Sequence, residues 1–205
     1  GNKRELFEFT KRLKLDDNEL HLYANAIEES QYLDLTPHVD NVHLYHFKKI
    51  KYISFTFPFF KSLVNLFISF INIIKLINLS KKMAKDIDDK NFNYSFIHQN
   101  KDYVQSPFLL KYLKTQSIFF CAEPMRILYD KGLFRKLRQK DINKKLYYRI
   151  TNSFNQICKN FLLKKIQKFD VQNIKACDLV LTNSYFSKEN ILSAYGIEPK
   201  VVHLG

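Results

Sequence analysis

Short apolar runs alternate with longer amphipathic stretches along most of the chain. In residues 1–15, Leu6, Phe7, Phe9, Leu13 and Leu15 are spaced among Lys and Glu in a pattern that predicts a helix. Residues 20–24 and 42–47 read as two short strands, separated by a polar loop over 28–40 that holds Pro37. A long helix is predicted from Pro58 to about Asp88. Beyond it come a strand at 94–98, a helix over 107–113, a strand at 117–121, and a helical, basic stretch over 125–170. A third short run at 179–181 precedes a helix capped by Ser184 or Ser187, with Glu189 in its first turn and Gly196 just past its end. Residues 200–204 read as a last strand. Short apolar strands alternating with helices predict an α/β fold, with a parallel sheet covered on both faces.

The long helix has an unusual pattern. Lys61, Asn65, Ser69, Asn72, Lys75 and Asn78 recur at three- and four-residue spacing, one narrow polar stripe on an otherwise apolar cylinder. Residues 55–79 are long and apolar enough for a transmembrane span, but lysines in mid-span are costly. A helix buried in the protein or one lying on a membrane surface suits the stripe better, and the buried helix is the preferred reading.

Composition narrows the class. With 205 residues, 46% hydrophobic and 15% aromatic, the chain can bury one full core, and 4 Gly and 5 Pro leave little room for flexible linkers. The formal charge of +13 invites a nucleic-acid or anionic-membrane partner. The basic residues are mostly Lys and spread along the chain, and the abundance of Lys, Asn, Ile, Tyr and Phe matches AT-rich coding. A solvated Lys surface is therefore preferred over a nucleic-acid groove. Cys121, Cys158 and Cys177 form no Cys-x-x-Cys pair and no zinc spacing, which suits a reducing cytoplasm.

Ligands of open parallel sheets bind beyond the carboxyl ends of the strands. That rule selects His98, Gln99 and Asn100 after the strand at 94–98, and Glu123 and Arg126 after the strand at 117–121. It selects Asn183 and Ser184 after 179–181, at a helix N-terminus that favours a negative group. Each has a plainer role open to it: His98 donating to a strand-end carbonyl, Glu123 supporting a turn, Arg126 pairing with Asp130, Ser184 capping a helix. No phosphate-binding G-x-x-x-x-G-K loop, G-x-S-x-G elbow or H-E-x-x-H motif occurs. His43 and His46 sit three apart, on opposite faces of a strand, a weak metal pair. Arg135, Lys136, Arg138, Tyr147 and Tyr148 mix basic and aromatic groups as single-strand nucleic-acid binders do, and as exposed helix faces also do.

The strand ends carry a family likeness. KACDLVLTNSYFSKENILSAYGIEPKVVHLG, residues 175–205, resembles the close of the N-terminal domain in family 4 glycosyltransferases of the GT-B fold. There a helix ends in Ala-x-Asp, a strand runs into Asn-Ser, and a helix leads to Tyr-Gly and the last strand. SPFLLKYLKTQSIFFCAEPMRILYD, residues 106–130, resembles a subgroup with an aromatic strand, then Glu-Pro, Arg, and a Tyr before an acid. SFIHQN resembles the strand whose terminal His faces the donor sugar. GNKRELFEFTKRLKLDDNELHLYA resembles the Gly-rich loop, first helix and second strand, with Asn2 where a second Gly is usual and Asp17-Asn18 in place of Gly-His.

The resemblance implies a Rossmann-like half of a GT-B fold, with a first strand ahead of Gly1 and a donor-binding domain beyond Gly205. The whole enzyme would move a sugar from a nucleotide sugar to an acceptor hydroxyl with retention, in glycan or glycolipid synthesis, without a cofactor or metal; residues 1–205 alone would be inactive. Asp86 and Asp88 have the Asp-x-Asp form but fall in a helical stretch. His98 would contact the donor sugar near the reacting centre, and Gly1 would let backbone approach the ligand. Gln99, Asn100, Glu123, Arg126, Asn183 and Ser184 would line the substrate cleft. The implied partners are a nucleotide-sugar donor and a glycan or lipid-linked acceptor, not nucleic acid; the expected location is the cytoplasm, and the basic charge with the apolar 58–80 helix suits a peripheral contact at the inner face of the cell membrane. The alternatives are a non-catalytic α/β binding module and a basic nucleic-acid-binding domain.

Overall fold

The computed structural model describes residues 2–24, 34–52, 58–98, 107–129 and 146–203. The chain divides between Lys48 and Lys49 into two units. The architecture is α/β, with parallel strands in two sheets flanked by helices, a Rossmann-like arrangement.

In the first unit, α1 (Asn2–Leu15) precedes β1 (His21–Ala24), which pairs in parallel with β2 (Asn41–Leu44). Helix α1 ends where Asp17 turns left-handed at φ 61°, a conformation Asp tolerates, and the Asn18 carboxamide donates to the Leu13 carbonyl. Asp40 then ties this turn to the sheet. Its carboxylate accepts from Lys14 Nζ at 2.6 and 2.8 Å and from the Leu20 amide at 2.7 Å. Those donors, the Lys14 ammonium first, hold its carboxyl below the usual range. In the expected loop, Pro37 opens one tight 3₁₀ turn (Thr36–His38), while residues 28–33 lie outside the described residues.

The second unit carries a four-stranded parallel sheet in the order β3-β4-β5-β6. Its strands are β3 (Ser95–His98), β4 (Ser117–Phe120), β5 (Leu179–Thr182) and β6 (Lys200–Val201). The predicted last strand is thus shorter than expected. The helices are α2 (Pro58–Asp88), the four-residue α3 (Arg126–Tyr129), α4 (Leu146–Lys175) and α5 (Tyr185–Tyr195). The expected helix over 107–113 is a 3₁₀ turn (Phe108–Lys111), whose buried Phe108, Leu109 and Leu110 pack against α2 and α4. The basic stretch expected over 125–170 holds α3 and α4, and residues 130–145, Arg135, Lys136 and Arg138 among them, lie outside the described residues.

Two carboxylates fix the loops at the amino edge of this sheet. Asp88, at the end of α2, accepts from the amides of Lys114 and Thr115 and from the Thr115 hydroxyl. Asp178, just before β5, accepts from the Ser117 amide at 2.8 Å and hydroxyl at 3.0 Å, which locks the starts of β4 and β5 together. Phe119, Phe120, Cys121, Ile174 and Ile191 are fully buried around this sheet.

Helix α2 is not the mostly buried helix that its apolar sequence suggests. Ile68, Ile73, Leu76, Ala84 and Ile87 face the core, but so do two members of the polar stripe, Ser69 and Asn72. Asn72 bonds both backbone groups of Ile50, and Ser69 meets the Tyr52 hydroxyl at 3.1 Å. The opposite side leaves Leu63, Phe67 and Ile74 exposed.

Candidate functional site

The carboxyl edge of the four-stranded sheet brings the strand-end residues into one row. Register places His98 opposite Phe120, Phe120 opposite Leu181, and Thr182 opposite Val201. Strands about 4.8 Å apart put the ends of β3 and β5 roughly 10 Å from each other. The half-buried His98 ring stacks on Phe120, with centroids 5.6 Å apart and planes 13° from parallel. In-register partners on parallel strands share a face, so Phe120 supplies a flat support for the imidazole. Gln99, Asn100 and Gly1 lie outside the described residues.

Beyond β4, Glu123 and Arg126 form a forked pair. Arg126 Nε donates to Glu123 Oε1 at 2.8 Å and its Nη2 donates to Oε2 at 3.2 Å. The Arg126 side chain is 70% exposed, so the pair adds little to stability. It does fix a planar cation beside the sheet edge. The pairing suggested for Arg126 with Asp130 falls outside the described residues.

Beyond β5, Ser184 caps α5. Its hydroxyl accepts from the Ser187 amide at 3.2 Å, and Asn183 Oδ1 accepts from the Ser187 hydroxyl at 3.1 Å. Gly196 closes the helix at φ 66°, its amide donating to the Leu192 carbonyl at 2.9 Å. Glu189 stands one residue beyond the first turn, which is Tyr185 to Lys188. The plainer reading of Ser184 therefore holds. Its cap still leaves the start of α5 pointing out of the carboxyl edge.

No family model, curated protein or solved structure matches this chain.

Sequence reasoning missed a second cluster behind the β4 end. Asp170, fully buried on α4, accepts the hydroxyls of Tyr129 at 3.0 Å and Tyr195 at 2.8 Å. The two rings meet edge to face at 5.0 Å, so one carboxylate ties α3, α4 and α5 together. Burial, and then the charge of Asp170, push both phenols far above the ordinary range. The Cys121 thiol beside them is raised for the same two reasons, so it stays protonated and unreactive. A signal for this cluster was present: Asp170 stands between Ile166 and Ile174 at four-residue spacing, an acid on the buried stripe of a helix.

In the first unit, His43 does not work with His46, which lies past the end of β2. Its Nε2 lies 3.1 Å from Nδ1 of His21 on the neighbouring strand, and His21 Nε2 meets Glu19 at 2.9 Å. Among the described residues no three His, Cys, Asp or Glu converge to hold a metal ion. Asp88 of the Asp-x-Asp pair is engaged by Lys114 and Thr115.

Proposed function

We propose that residues 1–205 form the acceptor-side, N-terminal domain of a retaining GT-B glycosyltransferase. One observation carries the reading. A doubly wound sheet of order 3-2-1-4-5-6 holds, on either side of its first strand, a pair 3-2 and a run 4-5-6 in chain order. The described strands form one parallel pair, β1-β2, and one parallel run in chain order, β3-β4-β5-β6. Setting the first strand of that order aside leaves a parallel pair and a parallel run of three; the described sheets are such a pair and a run one strand longer.

The carboxyl edge supports the same reading. In it, the His98 imidazole, braced by Phe120, meets the donor sugar. The start of α5 offers positive charge to an anionic group, since the first amides of a helix point outward, and Arg126 would join it by exchanging Glu123 for that group. Basic side chains and helix N-termini stabilise a departing diphosphate without a metal. The Asp170 network holds α3 and α5, and with them Arg126 and Asn183, in place.

Reading the encoding DNA on both sides of this segment tests the proposal. A frame that runs beyond Gly205 into a second α/β domain, and upstream into a strand, is the expected result. A start codon just before Gly1 with a stop just after Gly205 would overturn it.

A further inference from the structure

Around its middle, α2 turns Ser69 and Asn72 inward beside Ile68 and Ile73, and leaves large apolar groups outward. Asn72 and Ser69 are 0% and 5% exposed, whereas Leu63, Phe67 and Ile74 are 42%, 66% and 57% exposed. At 100° per residue these three fall within one narrow strip, together with Phe70. A shallow hollow of about 490 Å³ opens there, lined by Leu63, Val64, Leu66, Phe67 and Phe70. Contiguous apolar surface of this kind marks an interaction site.

The same strip turns cationic toward the other end of the helix. It continues through Asn78, Lys81 and Lys85, with Lys75 and Lys82 alongside, all exposed. Between Asp40 and Asp86 the chain has eight lysines and not one Asp or Glu. One face is thus apolar at one end and positive at the other.

We propose that this face of α2 docks on an anionic lipid bilayer, with Leu63, Phe67 and Ile74 at the headgroup–acyl boundary and Lys75, Lys81, Lys82 and Lys85 against lipid phosphates. An anionic bilayer supplies acyl chains and phosphates in one partner. A second copy of this face would bring more lysines and no counter-charge. By length and composition Leu63–Asp88 could cross a membrane, yet 33% of its apolar window is buried in the protein. A helix that gives one side to its own core, with Asn72 bonded to Ile50, lies along a bilayer instead of through it. The inference rests on α2 alone and stands apart from the sugar-transfer reading.

The chain has no Trp, so Phe67→Trp puts a lone indole on this face. Mixed at low salt with phosphatidylglycerol–phosphatidylcholine vesicles, its emission should shift to the blue and be quenched by bromines placed high on the acyl chains. Pure phosphatidylcholine should bind far less, and salt at about 0.5 M should release the protein. In the chain without the indole, Phe67→Ser with Ile74→Ser should weaken vesicle co-sedimentation about tenfold or more, with the circular dichroism unchanged. Four outcomes would overturn the proposal: no shift on anionic vesicles; undiminished binding of the Ser variant; strongest quenching at the bilayer centre, which means a span; or a blue shift that grows with protein concentration without lipid, which means self-pairing.

Discussion

Asn72 holds Ile50 by both of its backbone groups: Oδ1 accepts the Ile50 amide at 2.8 Å and Nδ2 donates to the Ile50 carbonyl at 3.0 Å. The carboxamide is fully buried, so it replaces for one residue the partner that a strand would supply. Asn72→Leu keeps similar bulk but takes the partner from the amide and the carbonyl of the half-buried Ile50. It should cost about 1–3 kcal/mol, read from the urea midpoint. A loss below about 1 kcal/mol would show that Ile50 finds other partners.

This bond also explains what the pattern of α2 did and did not disclose. The helix was legible from Pro58 to Asp88 because its long periodic run leaves no alternative structure of that length. Its orientation was not. When apolar residues occupy most of a cylinder, periodicity does not say which side is covered, and the answer lay in Ile50 and Tyr52 some twenty residues away. The strands beginning near 95, 117 and 179 were legible as apolar runs between polar residues, and their carboxyl ends followed from them. The Asp170 cluster and the His21–His43 contact join residues 22 to 41 positions apart, which no local pattern reports.

Tyr129 and Tyr195 should resist ionisation. Burial first, then Asp170, raises both phenols, while unfolded tyrosine titrates near pH 10. Below about pH 10 their contribution to stability is complete. Above it the unfolded chain releases protons that the folded one keeps, so stability falls as pH rises. Ultraviolet titration of the native protein should be indistinguishable from that of Tyr129→Phe with Tyr195→Phe until unfolding begins. A smaller native amplitude in the double variant near pH 10–11 would contradict this.

Asp88 should show the opposite dependence. Burial works against its charge, but the amide and hydroxyl of Thr115 and the Lys114 amide outweigh it and hold the carboxyl below its usual range. Its contribution is therefore present above about pH 4 and is lost as pH falls through the lower folded value. Asp88→Asn should cost about 1–3 kcal/mol at neutral pH, and the gap from the parent should narrow in acid. An equal gap at all pH values would exclude a charge effect.

Ser184→Ala should lower stability by about 1 kcal/mol, because the Ser187 amide loses its acceptor. Ser184→Asp should recover most of that loss, since Asp is an equally good cap and adds negative charge at a helix start. Thermal unfolding of the three proteins checks the order. Failure of Asp to recover stability would mean that Ser184 does more than cap.

The most direct measurement is nucleoside-diphosphate release by the protein translated from the uninterrupted reading frame that contains residues 1–205. A panel of nucleotide sugars would be offered with and without glycan and lipid-linked acceptors. The account predicts acceptor-dependent release with one donor class, reduced roughly 10²-fold in His98→Ala. No release with any donor, or release indifferent to His98, would contradict it.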